Sequence, residues 1–295
     1  MRVLLLGAGG QLGMQLAKTL KDEVELTAHT RAEVDFADAD ALRSAIRAAE
    51  PEIVINAAAY TAVDKAESEP ELARLVNAVA PSVIAAETAR TNGWLIHYST
   101  DYVFDGSGTR PWVETDTTGP LSVYGQTKLD GELSIAASGC RHVILRTSWV
   151  YAAEGRNFLQ TMLRLGRERE QLKVVDDQIG APTSAEAITE ATRSVLQQLA
   201  ATGEDAAASG TYHLTCAGET SWCGFARAIF TVFAGQQKTP EVLPIPTEAY
   251  PTSARRPRNS RLNCDKFARQ FGFQMPLWQD ALNEVASVLL SREPG

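Results

Sequence analysis

One stretch of the sequence, Ser99 to Lys128, holds the side chains best suited to moving a proton on or off a carbonyl oxygen: Thr100, Tyr124 and Lys128. Tyr124 and Lys128 stand four residues apart, so on a helix they point the same way. An ammonium within a few Å of a phenol favours the phenolate, which lowers the tyrosine pKa. A tyrosine tuned in this way donates and accepts protons near neutral pH. The spacing alone also describes any exposed helical pair. A proton donor becomes a reaction only if the rest of the chain supplies a second reactant.

The N-terminus points to a hydride donor. Arg2-Val3-Leu4-Leu5-Leu6 is a short, mostly apolar run of the kind a strand buried on both faces requires. Gly7-Ala8-Gly9-Gly10-Gln11-Leu12-Gly13 follows at once, and Met14 to Leu20 reads as a helix. Leu12 stands where G-x-G-x-x-G would place its third glycine, but Gly7, Gly10 and Gly13 fit G-x-x-G-x-x-G. Strand, glycine turn and helix together predict a dinucleotide whose pyrophosphate sits at the helix N-terminus. Val24 to Ala28 is a second strand. It ends in His29-Thr30-Arg31, where an acid would bind a ribose 2′-hydroxyl and an arginine would accept a 2′-phosphate. Arg31 favours NADPH, while Glu33 and Asp35 keep NADH open. Asp35-Phe36 is placed to flank the adenine.

The elements that follow bring the chemistry to the cofactor. Ile53 to Asn56 is a third strand running into Ala57-Ala58-Ala59-Tyr60, small residues that let backbone approach a ligand in the switch-point crevice. Asp64 to Arg90 reads as helical with breaks at Pro70 and Pro81, and Asn92-Gly93 as its stop. Trp94 to Tyr98 is a strand that delivers Ser99-Thr100 at its C-terminal end, where sites of open α/β sheets lie. The long polar loop Asp105 to Pro120 is expected to be functional, and Ser122 to cap the helix of Tyr124 and Lys128. Further on, strands are expected at 142–146, 172–175 and 212–215, an extended segment at 242–246, and helices at 157–168, 184–199, 222–233 and 276–290. Ala200 to Gly210 is the best candidate linker. The fold class is α/β: a Rossmann-type doubly wound parallel sheet with a smaller, partly interleaved C-terminal substrate domain. Residues 1–150 form the nucleotide-binding domain and 151–295 mainly the substrate domain, with the strand near 172–176 and the helix near 184–199 returning to the first.

Composition excludes several classes. The 295 residues are 44% hydrophobic and 22% charged, which suits a soluble globular chain with a large core. A net charge of −8 argues against nucleic acid as the main partner. No apolar run approaches the roughly 18 residues of a membrane span, and no secretion signal is evident, so the cytoplasm is the expected compartment. Cys140, Cys216, Cys223 and Cys264 lack zinc or disulfide spacing. His29, His97, His142 and His213 are scattered, and strand-borne His97 and His142 suit packing or hydrogen bonding better than metal ligation. Arg255, Arg256, Arg258 and Arg261 lie within seven positions, which suits either a substrate phosphate site or a solvated basic loop.

An ordered set of motifs carries a family resemblance along nearly the whole chain. It comprises Gly7 to Gly13, Asn56 to Glu67, Ser99 to Phe104, Tyr124 to Lys128, Arg146 to Tyr151, Gly180 to Thr183 and Arg255-Arg256-Pro257. The chain resembles the extended short-chain dehydrogenases/reductases and, among them, is similar to the dTDP-4-dehydrorhamnose reductase family. The resemblance implies NAD(P)H-dependent reduction of the 4-keto group of dTDP-4-dehydro-L-rhamnose, the last step in making dTDP-L-rhamnose for cell-surface polysaccharide such as lipopolysaccharide. Tyr124 would donate the proton, Lys128 would lower its pKa and hold the nicotinamide ribose, and Thr100 would polarise the carbonyl. Trp149 matches a position that packs on the sugar, with Asp101 and Arg256 as further substrate contacts. Gln11-Leu12, Asp35-Phe36, Ala58 and Ala59-Tyr60-Thr61 match cofactor-contacting segments. The partner is then a dTDP-sugar bound by a monomer or homodimer. The family is also described with Mg²⁺ held by glutamates at a dimer interface. Glu186 matches one such position but Gln15 stands at the other, so no metal ligand is assigned.

Two rivals share the fold. A dehydratase or epimerase would use an acid pair after the threonine, and Tyr102 stands where the second acid would be. A non-catalytic regulatory subunit would bind NADP without needing Thr100, Tyr124 and Lys128.

Overall fold

The computed structural model describes residues 1–202, 208–236 and 238–291. Part of the candidate linker, 203–207, therefore lies outside the described residues. Six parallel strands form the central sheet: β1 (Arg2–Leu6), β2 (Glu25–His29), β3 (Ile53–Asn56), β4 (Trp94–Thr100), β5 (Arg141–Thr147) and Gly210–His213. Their spatial order is β2-β1-β3-β4-β5 and then 210–213. The chain leaves β1 towards one edge and returns to β3 on the other side, which places the switch point between β1 and β3.

The strands read as unbroken apolar runs because both faces are covered. Val3, Leu5, Ile53, Ile55, Ile96, Val143 and Leu145 face one layer, packed with Leu16 and Leu20 of α1 (Gln11–Leu20) and with Ile188, Ala191 and Val195 of the helix Ala185–Thr202. Leu4, Leu6, Val54, Leu95 and Ile144 face the other. There they meet Leu42 and Ile46 of α2 (Ala39–Ala49), Ile84 of α5 (Ala80–Arg90) and Ile135 of α6 (Val123–Ala137). A further core gathers Tyr151, Leu159, Leu172, Phe225, Ile229, Trp278 and Leu282 from the second half of the chain.

Two expectations are corrected. The strand Gln171–Val175 does not return to the large sheet: it pairs in parallel with Glu241–Ile245, and Leu172 and Val174 join the second core. Pro81 does not break the helical run. Between α3 (Val63–Ala66) and α5 the chain forms α4 (Pro70–Arg74) and a five-residue π-turn, Leu75–Val79, that continues into α5 with Pro81 in its first turn. The proline has no N–H for the carbonyl of Asn77. That oxygen instead faces Gly131 of α6, where a Cβ would come within 2.2 Å of it. The π-turn also turns the Asn77 side chain inward, and such turns recur at functional sites.

The loop from 105 to 120 has little regular structure but is held in place. Trp112 stacks on Phe104 at 4.7 Å between centroids and donates to Asn259 O at 3.1 Å, while Arg110 pairs with Asp116 at 2.7 Å. Among the described residues no helix is long and apolar enough to cross a membrane.

Candidate active site

The glycine turn sits where β1 hands over to α1, at the switch point. Gly7 has φ +87°, and a Cβ there would lie 2.5 Å from Ala58 N at the end of β3. A Cβ on Gly13 would lie 2.1 Å from Gly7 O, so only glycine allows α1 to pack this close to the strand. No side chain caps α1, whose first residue follows Gly10 directly. Its free N–H groups and positive dipole end therefore face the cleft, a cradle suited to a pyrophosphate. The cleft has a volume of about 800 Å³.

Beyond β2, Thr30, Arg31, Ala32, Asp35 and Phe36 line the same cleft. Glu33 does not: its carboxylate turns back to accept from Thr30 N at 2.7 Å and Thr30 Oγ1 at 2.9 Å. Those hydrogen bonds hold its pKa below the usual carboxylate value. At this corner Arg31 offers a cation suited to a 2′-phosphate, while Asp35 offers a carboxylate suited to a 2′-hydroxyl.

Thr100 ends β4, and Tyr124 and Lys128 lie on the first turns of α6, whose start is capped by Ser122 accepting from Gly125 N at 3.2 Å. All three are buried. Burial raises the Tyr124 pKa, against a lowering contribution from the Thr100 hydroxyl. Lys128 is not among the groups that act on it, and its own polar contacts lie elsewhere. Lys128 Nζ donates to Tyr98 O at 2.7 Å and lies 3.3 Å from His97 Nε2. Burial pushes the Lys128 pKa down to about 8, partly opposed by Glu132. Glu132 is itself held by Arg146 at 2.6 Å and by Ser99.

Asp101 follows Thr100 and is 2% exposed, with burial raising its pKa to about 6. Thr100 Oγ1 donates to its Oδ1 at 3.1 Å. The Tyr102 hydroxyl accepts from Arg256 at 3.0 Å, and Arg256 also binds Asp64 at 2.6 Å. Burial raises the Tyr102 pKa, so a neutral phenol occupies the position of a second acid. Trp149 has φ +50°, a strained conformation for so bulky a residue. Its ring stacks on Trp222 at 3.7 Å between centroids.

The structure gathers nearly every residue singled out from sequence onto one cleft: Gly7, Gly10, Gln11, Leu12, Arg31, Asp35, Phe36, Ala58, Ala59, Tyr60, Thr61, Thr100, Asp101, Tyr124, Lys128, Trp149 and Arg256. Gly13 is buried beneath it. The arginine run does not converge as a unit, since Arg258 pairs with Glu248 and Arg261 with Glu219 at 2.6 Å, while Arg256 lines the cleft. Arg156 and Trp222 also line it, and no sequence motif marks them. Asn77 was missed as well. Its Oδ1 accepts from Tyr60 N at 2.8 Å and its Nδ2 donates to Thr127 Oγ1 at 3.2 Å, pinning the 57–61 loop to α6. Among the described residues no three His, Cys, Asp or Glu side chains group so as to hold a metal ion.

A dinucleotide cradle at the switch point of a parallel sheet, with Thr100, Tyr124 and Lys128 at its far end, defines an NAD(P)-dependent oxidoreductase of the extended short-chain dehydrogenase/reductase class. The family model described as the RmlD substrate binding domain matches residues 1–291. A dTDP-4-dehydrorhamnose reductase of Burkholderia thailandensis is 45% identical over 298 residues, spanning 99% of this chain and 100% of that one. The enzyme of the same name from Escherichia coli K12 is 44% identical, with 99% of each chain covered. Among solved structures, a Clostridium acetobutylicum dTDP-4-dehydrorhamnose reductase superposes with a TM-score of 0.90 at 36% identity, covering 98% of this chain and all of that one. A Bacillus anthracis reductase in complex with NADP gives 0.87 at 35% identity, covering 96% and 98%. The chain belongs to the dTDP-4-dehydrorhamnose reductase family.

Proposed function

We propose that this protein reduces the 4-keto group of dTDP-4-dehydro-L-rhamnose to give dTDP-L-rhamnose, with NADPH as the reductant. The observation that carries the reading is the convergence of the glycine cradle with Thr100, Tyr124 and Lys128 on one cleft, in a chain about 45% identical to reductases of that name. Bound NADPH supplies a hydride to carbon 4. Thr100 and Tyr124 present hydroxyls to the carbonyl oxygen, which gains negative charge as the hydride arrives. Tyr124, kept protonated by its burial, gives that oxygen its proton. Lys128 holds the cofactor end of the site and supplies positive charge beside the phenolate that results. Arg31 reads the 2′-phosphate and so favours NADPH over NADH. Trp149 and Trp222 form the sugar-side wall, and Arg256 contacts the nucleotide diphosphate.

Tyr102 favours reduction over dehydration. Elimination of water needs an acid and a base acting in turn, and a phenol held by Arg256 replaces the second carboxyl. We place the reaction in the cytoplasm, in a monomer or homodimer acting on a free nucleotide sugar. The test is turnover across several 4-keto nucleotide sugars with both cofactors. Stoichiometric NADPH oxidation with dTDP-4-dehydro-L-rhamnose is expected. NADPH binding without oxidation would assign the chain to a non-catalytic role instead.

A further inference from the structure

Asn56, His97 and Lys128 form a buried line from β3 through β4 to α6. The backbone N–H of Ala58 donates to Asn56 Oδ1 at 3.1 Å, which fixes which end of the amide is oxygen. Asn56 Nδ2 therefore faces His97 Nδ1, 3.0 Å away. An amide NH₂ has only protons to offer, so Nδ1 accepts and the ring proton of the neutral imidazole sits on Nε2. His97 is neutral because burial holds its pKa well below the usual value. Nε2 then points its N–H at Lys128 Nζ, 3.3 Å away. An ammonium has three donors and no acceptor, so this contact sets donor against donor. An amine resolves it by accepting from Nε2–H while still donating to Tyr98 O.

We propose that Asn56 and His97 are positioning residues for Lys128: Asn56 locks His97 as its Nε2–H tautomer, and that N–H favours the lysine amine over the ammonium. The other groups around the lysine do not cancel this. Tyr124, on the same helix, is neutral. Glu132, one turn further on, pulls towards the ammonium but is engaged by Arg146 and Ser99. Burial already pushes the Lys128 pKa down to about 8, and the His97 N–H adds to that effect.

The consequence rests on the reduction proposed above. After Tyr124 has given its proton to the substrate oxygen, the phenolate must regain one. A lysine ammonium facing the His97 N–H gives its proton up readily, leaving an amine that the same N–H stabilises, and solvent restores the ammonium. A lysine paired only with acceptors would hold its proton. Asn56 and His97 thus set how readily Lys128 gives up its proton once its charge has served the phenolate.

The tautomer can be read directly. Long-range ¹H–¹⁵N spectra of the ¹⁵N-histidine-labelled protein should show His97 protonated on Nε2, and an Nδ1–H ring overturns the proposal. Two variants test the coupling. In Asn56→Asp one carboxylate oxygen keeps the Ala58 N–H and the other accepts from the ring, moving its proton to Nδ1. In His97→Gln an uncharged amide can turn its oxygen to the ammonium. Both should raise the Lys128 titration, read from ¹³Cε-lysine shifts, by about one pH unit or more. The alkaline fall of kcat/KM should move with it. An unchanged lysine titration in both folded variants overturns the coupling. Wild-type protein with the Nε2–H tautomer but no turnover of any 4-keto nucleotide sugar would refute the function and leave the tautomer assignment standing.

Discussion

Replacing Tyr124 with phenylalanine removes one oxygen from a ring that is 9% exposed. The edge-to-face contact with Tyr102, at 5.5 Å between centroids, remains. Thr100 loses a hydroxyl neighbour but keeps Asp101 Oδ1 at 3.1 Å and Tyr102 N at 3.2 Å. The stability cost is then that of one hydrogen bond, about 1 kcal/mol. The glycine cradle is untouched, so NADPH affinity should change by less than about tenfold, or 1.4 kcal/mol. The chemical step loses its proton donor, which is worth about 10²–10⁴ in rate, or roughly 3–5 kcal/mol of barrier. The assay pairs single-turnover NADPH oxidation with a cofactor fluorescence titration, so that chemistry and binding are read separately. Turnover within about threefold of wild type would refute the assignment. The donor would then be sought at Asp101, whose burial raises its pKa to about 6. Parallel loss of binding and turnover would instead make Tyr124 a cofactor ligand first.

Arg31→Ala should weaken NADPH binding by about 10–100-fold, the worth of a charge-assisted contact, and NADH binding much less; equal weakening in titrations with both cofactors would remove Arg31 from the 2′-phosphate. Gly13→Ala puts a Cβ 2.1 Å from Gly7 O, and overpacking on this scale should cost at least about 1–3 kcal/mol, seen as a lower Tm and weaker NADPH binding; an unchanged Tm would show that α1 can move away freely. Asp101 has a folded pKa of about 6, above the 3.8 of a free side chain, so the native state binds the extra proton and stability falls as pH rises between those values, by up to about 3 kcal/mol. Asp101→Asn should flatten that part of the stability–pH curve in denaturant melts, and an unaltered slope would mean that the carboxyl is ionised in the fold.

The central sheet was legible because its strands are buried on both faces, so Arg2–Leu6 and Ile53–Asn56 stand out as apolar runs next to small, glycine- or alanine-rich turns. The cofactor cradle was legible for a similar reason, since glycines needed for close approach cannot be replaced by other residues. Pairing was not legible. Gln171–Val175 has the look of a strand, but only the packing of the second core decides that its partner is Glu241–Ile245 rather than the large sheet. Pro81 looks like a helix break from its own neighbours, but the chain passes through it by way of a π-turn, and Gly131 on another helix leaves room for the freed Asn77 carbonyl. Arg156 sits in a bend and Trp222 begins the helix Trp222–Val232, and tertiary folding carries both to the cleft.

The pair Tyr124 and Lys128 shows where sequence reasoning about chemistry stops. Spacing places Tyr124 and Lys128 on one face of a helix, and the structure does bring both to the cleft. Spacing carries no information about dielectric. An ammonium lowers a neighbouring phenol's pKa when the charge is near and the phenol can shed its own desolvation penalty. Here the desolvation of Tyr124 outweighs everything else acting on it, and the lysine's nearest polar atoms belong to Tyr98 and His97. For a reductase that outcome is useful. The tyrosine must arrive at the carbonyl carrying a proton, and a phenol that stays protonated across the neutral range always does. In the reduction proposed above, the lysine's task is to restore the donor, a role that its contact with the His97 N–H suits.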